Sequence, residues 1–158
     1  MTDRPSMFVG SSREGLHVAE AIQQNLDNVC EVIPWSQGVF GLGEAYLYSL
    51  LDAVEKYDFA VLVLTADDQT TARGSAEHSP RDNVIFELGL FLGGMGRART
   101  FIVHDRSVPL KIPSDLAGIA KTSYVPPEKG TWKSALGSAT AEISGRVREL
   151  GPRAKGRP

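Results

Sequence analysis

The chain has 158 residues, of which 42% are hydrophobic and 23% charged, with a formal net charge of −2 at pH 7. This length predicts one domain with a substantial core. The near-neutral charge and the few aromatic residues argue against a nucleic-acid-binding surface, and no apolar run approaches the ~20 residues that span a bilayer. The single cysteine, Cys30, cannot form an internal disulfide, which is typical of the reducing cytoplasm. We therefore expect a cytoplasmic domain that binds neither nucleic acid nor membrane.

Taken in order, the chain predicts alternating strands and helices. Strands are expected at 7–9, 31–35, 59–64, 100–104 and 122–125. Helices are expected at 14–26, 44–56, 80–95 and 131–150, with a helical turn at 113–118. The unbroken apolar run of the third strand indicates burial on both faces, and the alternation predicts an α/β fold with a five-stranded parallel sheet flanked by helices on both faces. Residues 1–150 would form this domain, and 151–158 a linker or disordered tail.

The predicted helix that contains Glu87 is the most informative segment. Ser79 is a suitable N-cap, Pro80 suits the first helical position, and Asp82 stands at capping-box spacing. From 84 to 95 nearly every residue is apolar or glycine, so we expect this helix to be buried on most sides. A carboxylate in such surroundings needs a cavity, a partner or a changed pKa. Glu87 is therefore either a functional group or a structural carboxylate that reaches the helix rim.

Three segments with functional character follow predicted strands. Gly10-Ser11-Ser12-Arg13 follows the first strand and could contact a phosphate or ribose, or form an ordinary glycine turn. Trp35 ends the second strand and precedes a glycine-rich loop containing Phe40, and either ring could stack on a ligand or pack at the rim. The polar segment 65–79 is long enough to be a functional loop. Because the carboxyl ends of parallel strands meet at one edge, we expect one ligand site there, near Glu87.

Other motifs are weaker. The first loop is not a Walker A motif, because Leu16-His17 occupy the Lys-Ser/Thr positions, and it is not a Gly-x-Gly-x-x-Gly fingerprint. Asp67-Asp68 resembles half of a magnesium site but lacks a third ligand at metal spacing, so we interpret both as solvated loop residues. The three histidines are scattered, which argues against zinc, and no nucleophile elbow is present. We therefore expect no metal site.

Five segments together resemble the bacterial TIR-like family found in antiphage effectors such as TIR–STING fusions. They are Phe8-Val9-Gly10-Ser11-Ser12-x-Glu14-Gly15, Trp35-x-x-Gly38-Val39-Phe40, Leu64-Thr65-x-Asp67-Asp68, Pro80-Arg81-Asp82-Asn83-Val84-Ile85-Phe86-Glu87-Leu88-Gly89 and Pro113-Ser114-Asp115-Leu116-Ala117-Gly118. The resemblance covers about residues 7–125, and its Arg-Asp-Asn-Val-Ile-Phe-Glu-Leu-Gly block is specific. It implies a flavodoxin-like TIR fold.

The resemblance also implies an NAD⁺ glycohydrolase, which cleaves NAD⁺ to nicotinamide and ADP-ribose or a cyclised ADP-ribose, with NAD⁺ as substrate and no cofactor. Glu87 matches the family's catalytic glutamate. The substrate-binding residues expected around it are Gly10, Ser11, Ser12, Arg13, Trp35, Phe40 and Asn83. The family further implies self-association of TIR domains into filaments or oligomers. It also implies a sensor, such as a STING-like cyclic-dinucleotide receptor, as a further domain or a partner.

Two alternatives stay open from the sequence. A nucleoside deoxyribosyltransferase-like enzyme would use a similar sheet and a glutamate acting on a glycosidic carbon, with a nucleoside in place of NAD⁺. A non-catalytic TIR scaffold would bind partners or nucleotide without turnover. The pattern of residues decides neither the product, hydrolysed or cyclised, nor the signal that would activate the protein.

Overall fold

The structure is a computed structural model and describes residues 3–36, 44–116 and 118–154. The strands are β1 (Ser6–Ser11), β2 (Glu31–Ser36), β3 (Phe59–Leu64), β4 (Asp68–Ala72), β5 (Ser75–Ser79), β6 (Thr100–Asp105) and β7 (Ala120–Tyr124). The α-helices are α1 (Leu16–Leu26), α2 (Glu44–Lys56), α3 (Asp82–Met95), α4 (Trp132–Ala135) and α5 (Gly137–Leu150). Two 3₁₀ turns lie at Arg13–Gly15 and Ser114–Leu116.

Five strands form one parallel sheet in the order β2-β1-β3-β6-β7. The predicted fold class is therefore confirmed. The chain runs from β1 to β2 on one side and then crosses to β3 on the other side of β1, so strand order reverses between β1 and β3. In open α/β sheets, the carboxyl ends of the strands at such a reversal form a crevice where ligands bind.

Side chains alternate across the sheet and build a separate core on each face. On one face, β1 contributes Met7 and Val9, which pack with α1 and α5. On the other face, β1 contributes Phe8, which packs with residues of α2 and α3. All six residues of β3 are buried, as its apolar run predicts. The helices α2 and α3 therefore lie together on one face, above the strands at the reversal.

The segment predicted as a polar loop, 65–79, contains the antiparallel hairpin β4–β5. Arg73 and Gly74 have φ angles of 53° and 78°, and positive φ at both central residues is typical of a two-residue type I′ hairpin turn. The prediction of Ser79 as the N-cap of the next helix is wrong. Ser79 pairs with Asp68 as the last residue of β5, and its hydroxyl accepts a hydrogen bond from Thr70. Helix α3 begins at Asp82.

Helix orientation also differs from the prediction in two places. In α2 the spacing of Leu47, Leu50, Leu51 and Val54 predicts one buried face, but Leu47 and Leu51 are 39% and 40% exposed. The helix instead buries Leu50, Ala53 and Val54. In α3, Phe86 is 51% exposed, so this helix is not buried on most sides. Outward-facing apolar side chains on two neighbouring helices leave an apolar surface on this face of the domain.

The end of the described chain packs against the amino edge of the sheet. The helix expected at 131–150 is divided into α4 and α5, and its start is capped by the Thr131 hydroxyl, which accepts a hydrogen bond from the Ser134 amide. After α5, the Arg99 guanidinium donates to the Gly151 carbonyl at 2.8 Å. The Arg153 amide donates to the Asp58 carboxylate at 3.1 Å. The described chain therefore contacts the domain as far as Arg153.

Candidate functional site

Glu87 lies in the second turn of α3 and faces the carboxyl end of β1. Its side chain is buried, with 1% of its surface exposed. One carboxylate oxygen, Oε1, accepts a hydrogen bond from the hydroxyl of Tyr46, which lies in the first turn of α2. Burial, and then the contact with Glu87, raise the pKa of Tyr46, and the Trp35 side chain acts in the opposite direction. Tyr46 is therefore a protonated donor at neutral pH.

Gly10 lies against the same carboxylate, and Trp35, its neighbour across the strand pair, packs against Tyr46. A Cβ at Gly10 would lie 2.8 Å from Phe8 and Leu62 and 3.0 Å from Glu87 Oε2, so only glycine fits between β1 and the carboxylate. Trp35 is 7% exposed, and its ring centroid lies 6.0 Å from that of Tyr46. The structure thus brings together three residues predicted separately from sequence.

A second polar group lies at the carboxyl ends of β1 and β3. The Ser12 hydroxyl donates to Asp67 Oδ2 at 2.6 Å and lies 3.0 Å from the Thr65 hydroxyl. Thr65 also donates to the same carboxylate oxygen. The interpretation of Asp67 as a solvated loop residue is therefore wrong: it is half-buried and fixes the first loop against the third.

Arg81 connects the elements around the site. Its Nη2 lies 2.6 Å from Glu14 Oε1 in the 3₁₀ turn, and its Nε lies 3.7 Å from Asp68 Oδ1 in the hairpin. These side chains are 40 to 50% exposed, so each ion pair contributes at most about 1 kcal/mol. The bridges position the 3₁₀ turn and the hairpin beside the start of α3.

The remaining predicted substrate-binding residues occupy different places. Ser11 is buried, but strand alternation directs it to the α1 face, away from Glu87, where it approaches Gly15. Arg13 is exposed in the 3₁₀ turn, and Asn83 is exposed one turn before Glu87 on α3. Phe40 lies outside the described residues.

Three residues make contacts near the site that were not predicted from the sequence. They are Tyr46, Thr65 and Asp67. A usable signal existed for each. Thr65 and Asp67 directly follow the central strand, at the edge where ligands are expected. Tyr46 lies in the first turn of a helix, and helices that connect parallel strands begin at that same edge. Tyr46 was not predicted as a site residue because it lies in an amphipathic segment, where the pattern indicates a helix and not a contact with Glu87.

Five cavities in the described part of the chain have volumes of about 290 to 550 Å³, and none of the five is lined by Glu87, Tyr46 or Trp35. The largest lies between α1 and the last two helices, on the opposite face of the sheet. Among the described residues, no three His, Cys, Asp or Glu side chains are grouped as metal ligands would be. No described helix combines the length and apolar character needed to cross a membrane.

The architecture is that of a flavodoxin-like domain. The chain superposes on the flavodoxin-like domain of a Synechococcus protein with a TM-score of 0.52 and 13% identity, covering 90% of this chain and 96% of that one. A diflavin flavoprotein of Nostoc gives a TM-score of 0.54 and 15% identity, covering 94% and 98%. At these identities the likeness shows the fold alone.

The sequence defines the family more narrowly. Residues 6–125 match the TIR domain of CAP12/Pycsar effector proteins, and the chain belongs to this family. The chain is 44% identical over 118 residues to CD-NTase-associated protein 12 of Flavobacterium daejeonense, covering 75% of this chain and 37% of that protein. It is 38% identical over 146 residues to the Pycsar effector protein BcPycTIR of Burkholderia cepacia, covering 92% and 48%. The chain thus spans less than half the length of either relative, and the family resemblance drawn from its motifs is confirmed.

Proposed function

We propose that this chain is an NAD⁺ glycohydrolase that cleaves the nicotinamide–ribose bond and releases nicotinamide with ADP-ribose or a cyclic ADP-ribose. The observation that carries this proposal is the Glu87 carboxylate, buried against Gly10 and hydrogen-bonded to Tyr46 at the strand-order reversal. Membership of an effector TIR family supports the same assignment. NAD⁺ is the substrate, and the proposed reaction uses no cofactor.

One carboxylate suits this chemistry. The ribose C1′–nitrogen bond breaks with both electrons going to nicotinamide, which leaves as a neutral ring and needs no general acid. The positive charge that develops is shared by C1′ and the ring oxygen, and the carboxylate of Glu87 stabilises it. A water oxygen then bonds to C1′ and releases a proton to solvent, giving ADP-ribose. A nitrogen of the same molecule's adenine in place of water would give the cyclic product.

The other predicted residues take positioning roles in this proposal. Trp35 would flank the nicotinamide ring, and Phe40 would do so from the loop that precedes α2. Ser12 and Arg13 would contact ribose and phosphate at the 3₁₀ turn, and Asn83 would contact substrate one turn before Glu87. Because the side chain of Ser11 faces α1, Ser11 would contribute through its main chain.

The experiment measures nicotinamide release from NAD⁺ over a wide range of protein concentration. Glu87→Gln keeps the shape of the side chain and removes its charge, so we expect a loss of at least about 100-fold. Glu20→Gln is the matched control, because Glu20 is exposed on α1, on the opposite face. Retention of most activity by Glu87→Gln would refute the assignment. A deoxynucleoside with free base, assayed in parallel, tests for the transferase alternative.

We also propose that the domain self-associates and that assembly activates it. Leu47, Leu51 and Phe86 are each 39 to 51% exposed on the neighbouring helices α2 and α3, and burying them between copies would be favourable. Activity should then rise faster than linearly with protein concentration. Leu51→Glu combined with Phe86→Glu should abolish this rise in sedimentation and turnover assays, whereas Val125→Glu, exposed elsewhere, should not. Nicotinamide release linear in wild-type concentration would refute activation by assembly.

In a cell, we propose that this domain acts as an antiphage effector controlled by a cyclic-nucleotide receptor, STING-like or otherwise, present as a further domain or a partner. The family name and the relatives named as Pycsar effectors and CD-NTase-associated proteins support this setting. Overexpression should lower cellular NAD⁺ and arrest growth, and the Glu87→Gln variant should do neither. Unchanged NAD⁺ in cells that contain assembled protein would argue for the scaffold alternative.

A further inference from the structure

The connection between β6 and β7 differs from the other crossovers of the sheet. Parallel strands are usually joined by an α-helix that packs on the sheet, as α1, α2 and α3 do here. The described residues between β6 and β7 instead form turns, irregular chain and one 3₁₀ turn, Ser114–Leu116. A cavity of about 290 Å³ lies between this connection and the sheet, near the carboxyl ends of β3 and β6.

The interior of this cavity is apolar. On the side of the sheet it is lined by Leu64 and Ile102, which are both buried. On the side of the connection it is lined by Val108, Pro109, Leu110 and Ile112. Apolar side chains therefore line the cavity from two elements of the fold, as they do in sites for ligands with a ring or another apolar body.

Three basic side chains complete the lining of the cavity. They are His104, Arg106 and Lys121, and none of the described residues that line the cavity is acidic. Within residues 3–36, 44–116 and 118–154, neither Arg106 nor Lys121 forms an ion pair. The neighbouring Asp105 carboxylate accepts hydrogen bonds from the amide and the hydroxyl of Ser107, at 2.8 and 2.6 Å. Positive charge therefore converges on one cavity of a chain whose formal net charge is −2.

We propose that this cavity binds a mononucleotide, with its base and ribose against the apolar lining and its phosphate at Arg106 and Lys121. A guanidinium fork and an ammonium group are common partners of phosphate oxygens in proteins. Ligand cavities range from about 300 to 1,000 Å³, so a volume of about 290 Å³ suits one nucleotide better than a dinucleotide such as NAD⁺. The combination of an apolar interior and a basic rim distinguishes this ligand from a free phosphate.

This second site is separate from Glu87, so the inference goes beyond the proposed function and does not depend on it. Glu87 lies against Gly10 of β1, whereas the cavity lies over β6 and β7. In the sheet, β3 stands between β1 and β6, and α3 packs on β3 on the same face as the cavity. A nucleotide in the cavity would therefore bind on the other side of β3 from the carboxylate.

Binding would hold the β6–β7 connection against the sheet. The connection is attached to the hairpin through the Lys111 amide, which donates to the His78 carbonyl at 2.8 Å. A ligand that contacts Arg106 and Ile112 on one side and Ile102 on the other would restrain the chain between them. Amide hydrogen exchange over residues 106–113 should therefore become slower when the cavity is filled.

The first test titrates AMP into the protein by isothermal titration calorimetry. We expect a Kd of about 1 mM or lower for wild type. Arg106→Gln combined with Lys121→Gln should weaken binding by at least about tenfold, because both charged partners of the phosphate are removed. Lys133→Gln combined with Arg148→Gln is the matched control, since it removes the same charges from the largest cavity, on the opposite face. Equal binding by the two double variants, or no binding of AMP to wild type at about 10 mM, would overturn the proposal.

The second test locates the ligand and identifies the part that is recognised. Val108→Phe fills the cavity without changing its charge, so it should weaken AMP binding, whereas Glu87→Gln should bind AMP as wild type does. Adenosine and inorganic phosphate should each bind at least about tenfold more weakly than AMP. Phosphate bound as tightly as AMP would overturn the assignment of a nucleotide, and loss of AMP binding in Glu87→Gln would overturn the assignment of a second site. Unchanged hydrogen exchange over 106–113 in saturating AMP would also overturn it. None of these measurements uses NAD⁺ cleavage, so their failure and that of the glycohydrolase are distinguishable.

Discussion

Asp58 and Glu87 are two carboxylates buried to nearly the same degree, with 2% and 1% of their surfaces exposed. Asp58 lies at the amino edge of the sheet, where it accepts hydrogen bonds from the Ser6 amide at 2.9 Å, the Ser6 hydroxyl at 3.0 Å and the Arg153 amide at 3.1 Å. Glu87 lies near the carboxyl edge and accepts a hydrogen bond from the side chain of Tyr46.

The difference lies in what carries the donors. Main-chain amides of β1 and of the chain after α5 hold Asp58, and these cannot leave without unfolding part of the domain. A side-chain hydroxyl in the first turn of a helix donates to Glu87. Burial alone therefore does not distinguish these two carboxylates, whereas the groups that donate the hydrogen bonds described above do.

The largest expected effect on stability tests this distinction directly. Asp58→Ala leaves three donors at a buried site without their acceptor, so we expect the free energy of unfolding to fall by about 3 kcal/mol. Glu87→Gln should change it by less than about 1 kcal/mol, because the amide oxygen can still accept from Tyr46. Urea denaturation of both variants makes the measurement. Equal losses of stability would break the comparison.

The next largest effect is expected at alkaline pH, where the free energy of unfolding should depend on Cys30 near the amino edge. Burial raises the pKa of Cys30, near the amino edge, from 9.0 to about 11, while Arg4 opposes the shift. Because the folded pKa lies above the unfolded one, the stabilisation is complete below about pH 9 and is lost as pH rises towards 11, a fall of about 2 to 3 kcal/mol. Cys30→Ala should lose this slope, whereas Tyr46→Phe should alter only the region above pH 10. Identical slopes for wild type and Cys30→Ala would contradict the expectation.

The close backbone approach to Glu87 can be tested with a glycine substitution. In Gly10→Ala the new methyl would lie 2.8 Å from Leu62 and Phe8, so we expect a loss of about 2 kcal/mol together with lowered NAD⁺ cleavage. Gly89→Ala is the control on α3, because nothing lies within 4 Å of its Cβ position and alanine favours the helix by about 0.5 to 1 kcal/mol. Thermal unfolding of both proteins decides, and a stable, fully active Gly10→Ala would show that the carboxyl edge is less tightly built than the structure indicates.

The smallest effect concerns the surface bridges around the site. Arg81→Gln removes contacts with Glu14 and Asp68, all of them partly exposed, so the free energy of unfolding should fall by about 0.5 kcal/mol or less. Added salt should leave this variant's stability nearly unchanged and lower that of wild type slightly. A loss above about 2 kcal/mol would mean that the fold depends on the carboxyl edge as strongly as on Asp58.

The sequence predicted the structure best where a residue pattern is compatible with few environments. The six apolar residues of β3 admit little besides a central strand, and Glu87 in an apolar helix demanded a special environment. Gly10, which lies against Glu87, and Trp35, which packs on Tyr46, were predicted because both stand at strand ends. These features depend on local pattern and on the rule that parallel strands end at one edge.

Features that depend on tertiary packing were harder to predict. The stripe Leu47, Leu50, Leu51 and Val54 fits a helix face, but packing on α3 rotated that face so that two of these leucines are exposed. The hairpin was missed because its strands are polar and exposed, which removes the alternation that signals a strand. The feature that could still have indicated a hairpin is the Arg73-Gly74 turn between the two strands. Tyr46 could be assigned only once α2 and α3 were placed side by side.

The hydrogen bonds of the Arg153 side chain have an electrostatic consequence for α2 and α3. Its guanidinium donates to the carbonyl oxygens of Val54 and Gly94, in the last turns of α2 and α3. Those ends carry the negative poles of two parallel helix dipoles, and a cation at such a pole contributes about 0.3 to 1 kcal/mol. A single positive charge thus neutralises the poles of both helices at once, at the ends farthest from Tyr46 and Glu87.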